Sequence, residues 1–154
     1  MSKLVIVRHA QAIASATSDH DRELTEIGIE QARALGQWLI EQKISFDHAV
    51  VSDSVRTRQT FDLLEVDCPV TLSPAAYNAR AGALAQLVRE VPTDAQCVLL
   101  VAHNPGAFDL ASAYGYYADM TPGSAAVCEL IGSPSEFGNL HATVTASFQP
   151  PANQ

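Results

Sequence analysis

Short apolar runs alternate along the chain with longer stretches in which apolar positions recur every three or four residues. The runs predict buried strands and the longer stretches amphipathic helices. Residues 3–7, almost all apolar and mostly β-branched, form the first run and predict a core strand. A polar, Ser/Ala-rich loop follows over residues 10–23. Leu24, Ile27, Ala32, Leu35 and Trp38-Leu39 then recur at helical spacing to about Gln42. The helix starts near Thr25, but Gly28 stands where a Glu or Gln would complete a capping box, so that boundary is approximate.

His48 to Ser52 predicts a second buried strand, residues 54–64 a short helix, and Val70 to Leu72 a short strand. Residues 80–90 predict a helix with Leu84, Leu87 and Val88 on one face, ended by Pro92. Cys97 to Ala102 is the strongest strand signal, and a helix to about Tyr114 follows His103-Asn104-Pro105-Gly106. Residues 124–131 and 139–148 read as two strands around a turn from Gly132 to Gly138, and the end from Pro150 to Gln154 reads as frayed. Strands alternating with helices indicate an α/β fold with a mostly parallel sheet, given some antiparallel character at one edge by the last hairpin.

Composition adds limits to this pattern. The 154 residues suit a single domain (1–154), and 47% hydrophobic against 17% charged residues can fill a core. No apolar run approaches the ~20 residues of a membrane span. The first residues lack the longer apolar region and cleavage site of an export signal, so the expected location is the cytoplasm. The net charge of −8 disfavours nucleic acid as a partner. It leaves a compact anion possible, because a few converging arginines can make a local positive site. Cys68, Cys97 and Cys128 are odd in number and lack CxxC spacing, which predicts reduced thiols.

Three polar groups fall just past apolar strands: Arg8-His9, Ser52 to Arg56, and His103-Asn104. In open α/β sheets, ligands bind beyond the carboxyl ends of the strands. Converging Arg and His side chains suit a phosphoryl group. Arginine offers a planar fork matched to its oxygens. A neutral imidazole with one nitrogen tied to a carbonyl or carboxylate can attack phosphorus with the other.

These segments resemble the boxes of the histidine phosphatase superfamily. Val5-Ile6-Val7-Arg8-His9-Ala10 is similar to its Arg-His-Gly signature, and Ser52 to Thr60 to its Ser-x-x-x-Arg-x-x-Gln-Thr box. Val101-Ala102-His103-Asn104-Pro105-Gly106 resembles its Gly-His-Asn-Pro box, and Arg22-Glu23-Leu24-Thr25 with Gly28 its Arg-x-Leu-Thr-x-x-Gly element. The resemblance implies a three-layer sandwich of the phosphoglycerate mutase type. It implies that His9 takes the phosphoryl group as a phosphohistidine, that Arg8 and Arg56 hold its oxygens, and that His103 completes the pocket. Water then hydrolyses the intermediate, with no metal or organic cofactor. Arg22 and Asn104 are further candidate substrate contacts. Ser52 closes its strand end and supports the pocket, while Arg58 faces solvent.

Two departures bear on substrate. Ala10 replaces the usual Gly and leaves slightly less room. Asn78 stands where many members carry a Glu general acid, and an amide cannot protonate an alkoxide leaving group. Asp19, Asp21 or Glu23 could replace that acid from the first loop. A site without an acid suits a phosphoramidate such as phosphohistidine, and a short chain with no lid insertion suits a protein substrate. The expected function is therefore a phosphohistidine phosphatase similar to the SixA type, acting on a phosphorylated protein. The alternatives are a phosphatase of small phosphate esters or a mutase, and a non-catalytic phospho-binding module. A thiol-based phosphatase is excluded because no Cys has Arg six residues later, and an ATPase by the missing phosphate loop. Asp19-His20-Asp21 does not follow a strand as the Asp-x-Asp of an aspartate phosphatase would. His20, His48 and His141 are scattered and read as surface or structural residues, so no metal site is expected. The oligomeric state is left open.

Overall fold

A computed structural model describes residues 2–138 and 141–151. The strands are β1 (Ser2–Arg8), β2 (His48–Ser52), β3 (Val70–Ser73), β4 (Cys97–Ala102), β5 (Ala125–Leu130) and β6 (Ala142–Phe148). The helices are α1 (Glu26–Glu41), α2 (Val55–Leu64), α3 (Ala81–Arg89) and α4 (Gly106–Ser112). The start of the expected last strand and the final three residues of the frayed end lie outside the described residues.

One six-stranded sheet runs in the order β3-β2-β4-β1-β5-β6. β1 to β4 pair in parallel, whereas β5 is antiparallel to β1 and β6 antiparallel to β5. The sheet is therefore mixed and not mostly parallel. The antiparallel character extends to the β1–β5 pairing, because α4 and the segment after it return the chain to the far side of β1.

Alternate residues of each central strand point to opposite faces. Leu4, Ile6, Val98, Leu100 and Cys128 pack with Leu84 and Val88 of α3 and Leu110 of α4. Val5, Val7, Leu99, Val101 and Val127 pack with Leu35 and Leu39 of α1 and Leu64 of α2. These two cores, one on each face, make the three-layer sandwich, and they explain why β1 and β4 read as unbroken apolar runs. Each fully buried Leu or Val contributes on the order of 1.5–3 kcal/mol.

Register decides where the chemistry lies. Arg8 pairs with Ala102, Val51 with Val101, and Ser52 with Ser73. The carboxyl ends of four parallel strands are thus level, and the residues after them emerge along one edge. Among the described residues, no helix is long and apolar enough to cross a membrane.

Candidate active site

The floor of the site is made by strand ends. His9 follows β1, and its backbone N–H donates to the carbonyl of Ala102 at 3.1 Å. His103 follows the adjacent β4, so the two imidazole rings lie 5.3 Å apart between centroids. Arg56 enters from the first turn of α2. Ser54 caps that helix through the Thr57 N–H, and the Thr57 hydroxyl donates to the Ser52 carbonyl at 2.7 Å, which turns the chain sharply from strand to helix. Arg56, His103 and Ser52 are buried, and His9 is only 9% exposed.

The protonation of both rings follows from their partners. His9 Nδ1 lies 2.7 Å from the Ala10 carbonyl oxygen. A carbonyl only accepts, so Nδ1 carries the proton and Nε2 keeps its lone pair. His103 Nδ1 faces Arg56 Nη2 at 3.3 Å, and Nε2 faces Ser52 Oγ at 2.8 Å. A guanidinium only donates, so His103 is protonated on Nε2 and donates to Ser52. Burial pushes the His9 pKa down to about 4, helped by the charges of Arg56, Arg8 and Arg22 and opposed by the bond to Ala10. Burial likewise pushes His103 down to about 3, with His9 and Arg56 adding to the effect. Both rings are neutral at pH 7.

The roof is made by loops. Asp19, in a short 3-10 turn (Asp19–Asp21), accepts from Arg56 Nη2 at 3.1 Å through Oδ2 and from Arg22 Nη1 at 2.9 Å through Oδ1. The Asp19 carbonyl accepts from Arg56 Nη1 at 2.7 Å, and the Tyr77 hydroxyl donates to the Asp19 carboxylate. Hydrogen bonds from Tyr77, then Arg22 and Arg56, hold that carboxyl well below the usual carboxylate range. The Tyr77 ring stands edge-on to His103 and His20, with centroids 5.4 Å and 5.1 Å away. His20 in turn meets Asp53 at 3.0 Å.

The structure brings Arg8, His9, Ser52, Arg56 and His103 together and sets Arg22 at the rim beside Asp19. Arg8 Nη1 donates to the Met120 carbonyl at 2.9 Å. Asn104 is engaged elsewhere: its amide donates to the same carbonyl at 3.0 Å and accepts from the Phe108 N–H at 3.2 Å, so it shapes the start of α4. Ala10 does not adopt the positive φ that a glycine would permit, and its buried methyl packs with Leu24 and Ala32. Arg58 is exposed, as expected. His48 and His141 lie away from the site, His48 bonded to Thr71.

The acid candidates fare less well. Asp19 is held ionised. Asp21 is exposed and accepts from Ser18, and Glu23 accepts from Gln59. Asn78 is exposed at φ 50°. Sequence reasoning missed Tyr77, because a lone aromatic in a loop carries no periodic signal. It also gave no role to two residues of the α2 box. Thr60 accepts from the Ala10 N–H at 3.0 Å and Gln59 from the Leu24 N–H at 2.8 Å, tying α2 to the first loop.

Among the described residues, the buried side-chain nitrogen and oxygen atoms without a hydrogen-bond partner are Arg8 Nε and Arg56 Nε. Buried donors are almost always paired, and both belong to arginines whose charges act on His9.

A family profile for the histidine phosphatase superfamily (branch 1) matches residues 4–96. The chain belongs to this superfamily. His103 lies beyond the matched segment and joins the site through the β1–β4 pairing. An uncharacterised protein of Mycobacterium tuberculosis is 31% identical over 100 residues, covering 64% of this chain and 63% of its own. The phosphohistidine phosphatase SixA of Escherichia coli is 35% identical over 60 residues, covering 39% of this chain and 37% of its own. The chain thus spans less than two thirds of the length of these curated relatives. The solved structure of a protein provisionally assigned as the phosphohistidine phosphatase SixA of Nakamurella multipartitia superposes with a TM-score of 0.89 at 29% identity, covering 98% of this chain and 97% of that one.

Proposed function

We propose that the protein is a phosphatase that takes a phosphoryl group onto His9 Nε2, with phosphohistidine of a partner protein in the cytoplasm as its substrate. The observation that carries this reading is His9 itself: neutral, its Nδ1 proton held by Ala10, and its free Nε2 set among Arg8, Arg56 and His103.

The Nε2 lone pair attacks phosphorus while the bond to the leaving atom breaks. Arg8 and Arg56 offer their unpaired Nε donors to the phosphoryl oxygens. A phosphoryl dianion also brings the negative charge that favours a charged His103, opposing the burial that now keeps the ring neutral. Water then attacks the phosphohistidine, yielding inorganic phosphate and free His9.

The proposed substrate class rests on the state of the carboxylate beside the pocket. An alkoxide needs a proton as it leaves, and Asp19, the carboxylate on the pocket, is held ionised. The imidazole of a phosphohistidine takes its proton from solvent and leaves without one from the enzyme. A cavity of about 600 Å³ beside Arg8, lined by Pro105, Phe108, Met120 and Pro122, leaves room for a side chain flanking the phosphorylated residue. The likeness to proteins described as phosphohistidine phosphatases supports the same substrate.

The test is acid-quenched trapping with a phosphohistidine peptide and with an alkyl phosphate. The expected result is an acid-labile, base-stable label that is absent in a folded His9→Ala variant, with faster turnover of the peptide. Undiminished hydrolysis in that variant overturns the mechanism. Faster turnover of the alkyl phosphate supports the small-ester alternative, and binding without turnover supports the phospho-binding module.

A further inference from the structure

We infer that Asp19 and Tyr77 form a clasp that positions Arg56 for the phosphoryl group, so that the carboxylate over the pocket is a positioning residue and not a proton donor. The inference rests on the phosphatase reading and adds to it the element that orients one of its two cations.

Arg56 is 3% exposed, and its donors divide cleanly. Both terminal nitrogens are held by Asp19, Nη1 through the carbonyl and Nη2 through the carboxylate, with Nη2 also facing His103 Nδ1. Nε alone lacks a partner. A guanidinium gripped by its two ends presents its remaining N–H groups, on Nε and the second on Nη1, in fixed directions, which serves a pocket that must meet phosphoryl oxygens in one geometry. Asp19 needs holding in turn, because its side chain is 47% exposed and sits in a polar loop. Tyr77 supplies this through its hydroxyl, Arg22 grips the other carboxylate oxygen, and the Arg22 Nε donates to the Ile13 carbonyl at 2.7 Å. The Tyr77 ring also lies 5.8 Å from the Arg56 guanidinium carbon, within reach of a cation–π contact.

Three roles for Asp19 predict different outcomes. As a positioning residue it helps Arg56 bind phosphate, and its removal weakens binding. As a plug it competes with phosphate for Arg56, and its removal tightens binding. As a general acid it matters only for poor leaving groups.

The experiment uses the full chain at pH 7 and measures affinity for inorganic phosphate by calorimetry. It also measures kcat/KM for a phosphohistidine peptide, p-nitrophenyl phosphate and an alkyl phosphate, with circular dichroism to confirm folding. In Asp19→Ala, phosphate affinity is expected to fall about tenfold and kcat/KM by about 10–100-fold, equally for all substrates. Asp19→Asn keeps an oxygen acceptor for Arg56 and is expected to recover part of both losses. Tyr77→Phe removes one hydrogen bond and is expected to lose about 3–10-fold. Tighter phosphate binding in Asp19→Ala, a loss confined to the alkyl phosphate, unchanged values in folded Asp19→Ala and Tyr77→Phe, or no phosphate binding by the wild type each overturns the clasp. Clasp-dependent phosphate binding without a trapped phosphohistidine sustains the clasp and sinks the phosphatase reading instead.

Discussion

The floor and the roof of the site are built by different means. His9, His103 and Ser52 stand at or just past the ends of paired strands, and Arg56 one helical turn beyond, all at most 9% exposed. Asp19, Arg22, Tyr77 and His20 stand on loops, half-buried or exposed, and touch one another through side chains. The floor is held by the sheet, whose register cannot slip without turning core residues out to solvent. The roof is held by a few polar contacts, each modest in water. On the proposed function, the chemistry falls to the floor and its fine adjustment to the roof.

Five measurements break or sharpen that comparison. The largest effect is expected for Arg56→Ala, where loss of a buried cation lowers kcat/KM by about 10²–10³-fold. A loss no greater than that of Asp19→Ala would erase the distinction between floor and roof.

Next comes pH. An imidazole at its ordinary value of 6.5 would be about 99% protonated, and useless as a nucleophile, at pH 4.5. With His9 pushed down to about 4, kcat/KM is expected to hold until the pH approaches 4. A fall centred near 6.5 would show that His9 is not buried as described. The cost appears in stability. Both rings are neutral when folded, but in the unfolded chain they take up protons below about pH 6.5. The urea midpoint is therefore expected to fall from about pH 6.5 downward, until His9 and His103 titrate in the folded protein near 4 and 3.

Ser52→Ala is expected to cost about tenfold. It frees the Nε2 proton of His103 and so loosens the tautomer that leaves Nδ1 facing Arg56. The smallest effect is expected for Arg58→Ala, less than about twofold. Arg58 lies two residues from Arg56 and is exposed, and among the described residues its side chain bonds only the Asp53 carbonyl, through Nε. A large loss there would extend the pocket across α2.

Much of the floor was legible in the sequence. Apolar runs ending in Arg8-His9, in Ser52 and in His103 mark strand ends, and an α/β fold sends parallel strand ends to one edge. The mixed sheet was not legible beyond its last hairpin, because periodicity reports a strand's burial and not the direction of its neighbour. The role of Gly28 was not legible either. A Cβ there would sit 2.1 Å from the Gln11 carbonyl oxygen, and one at Gly106 would sit 2.0 Å from that of Ala79. These two helix starts press on the loops that carry the roof, and such a close approach between distant segments leaves no local trace.

Asp19 marks the boundary between the two kinds of knowledge. Local pattern by itself determined the elements, the layered α/β class and the place of Arg8-His9 just past a buried strand, because each depends on neighbours within one strand or turn. It offered Asp19 as a possible acid, since a carboxylate near a phosphate site has that chemistry available. Only the tertiary structure shows what surrounds it, and that favours the positioning role inferred above. It brings Arg56, Arg22 and Tyr77, from 37, 3 and 58 residues away, onto one carboxylate. A proton equilibrium answers to the charges and donors around a group, whatever their distance along the chain.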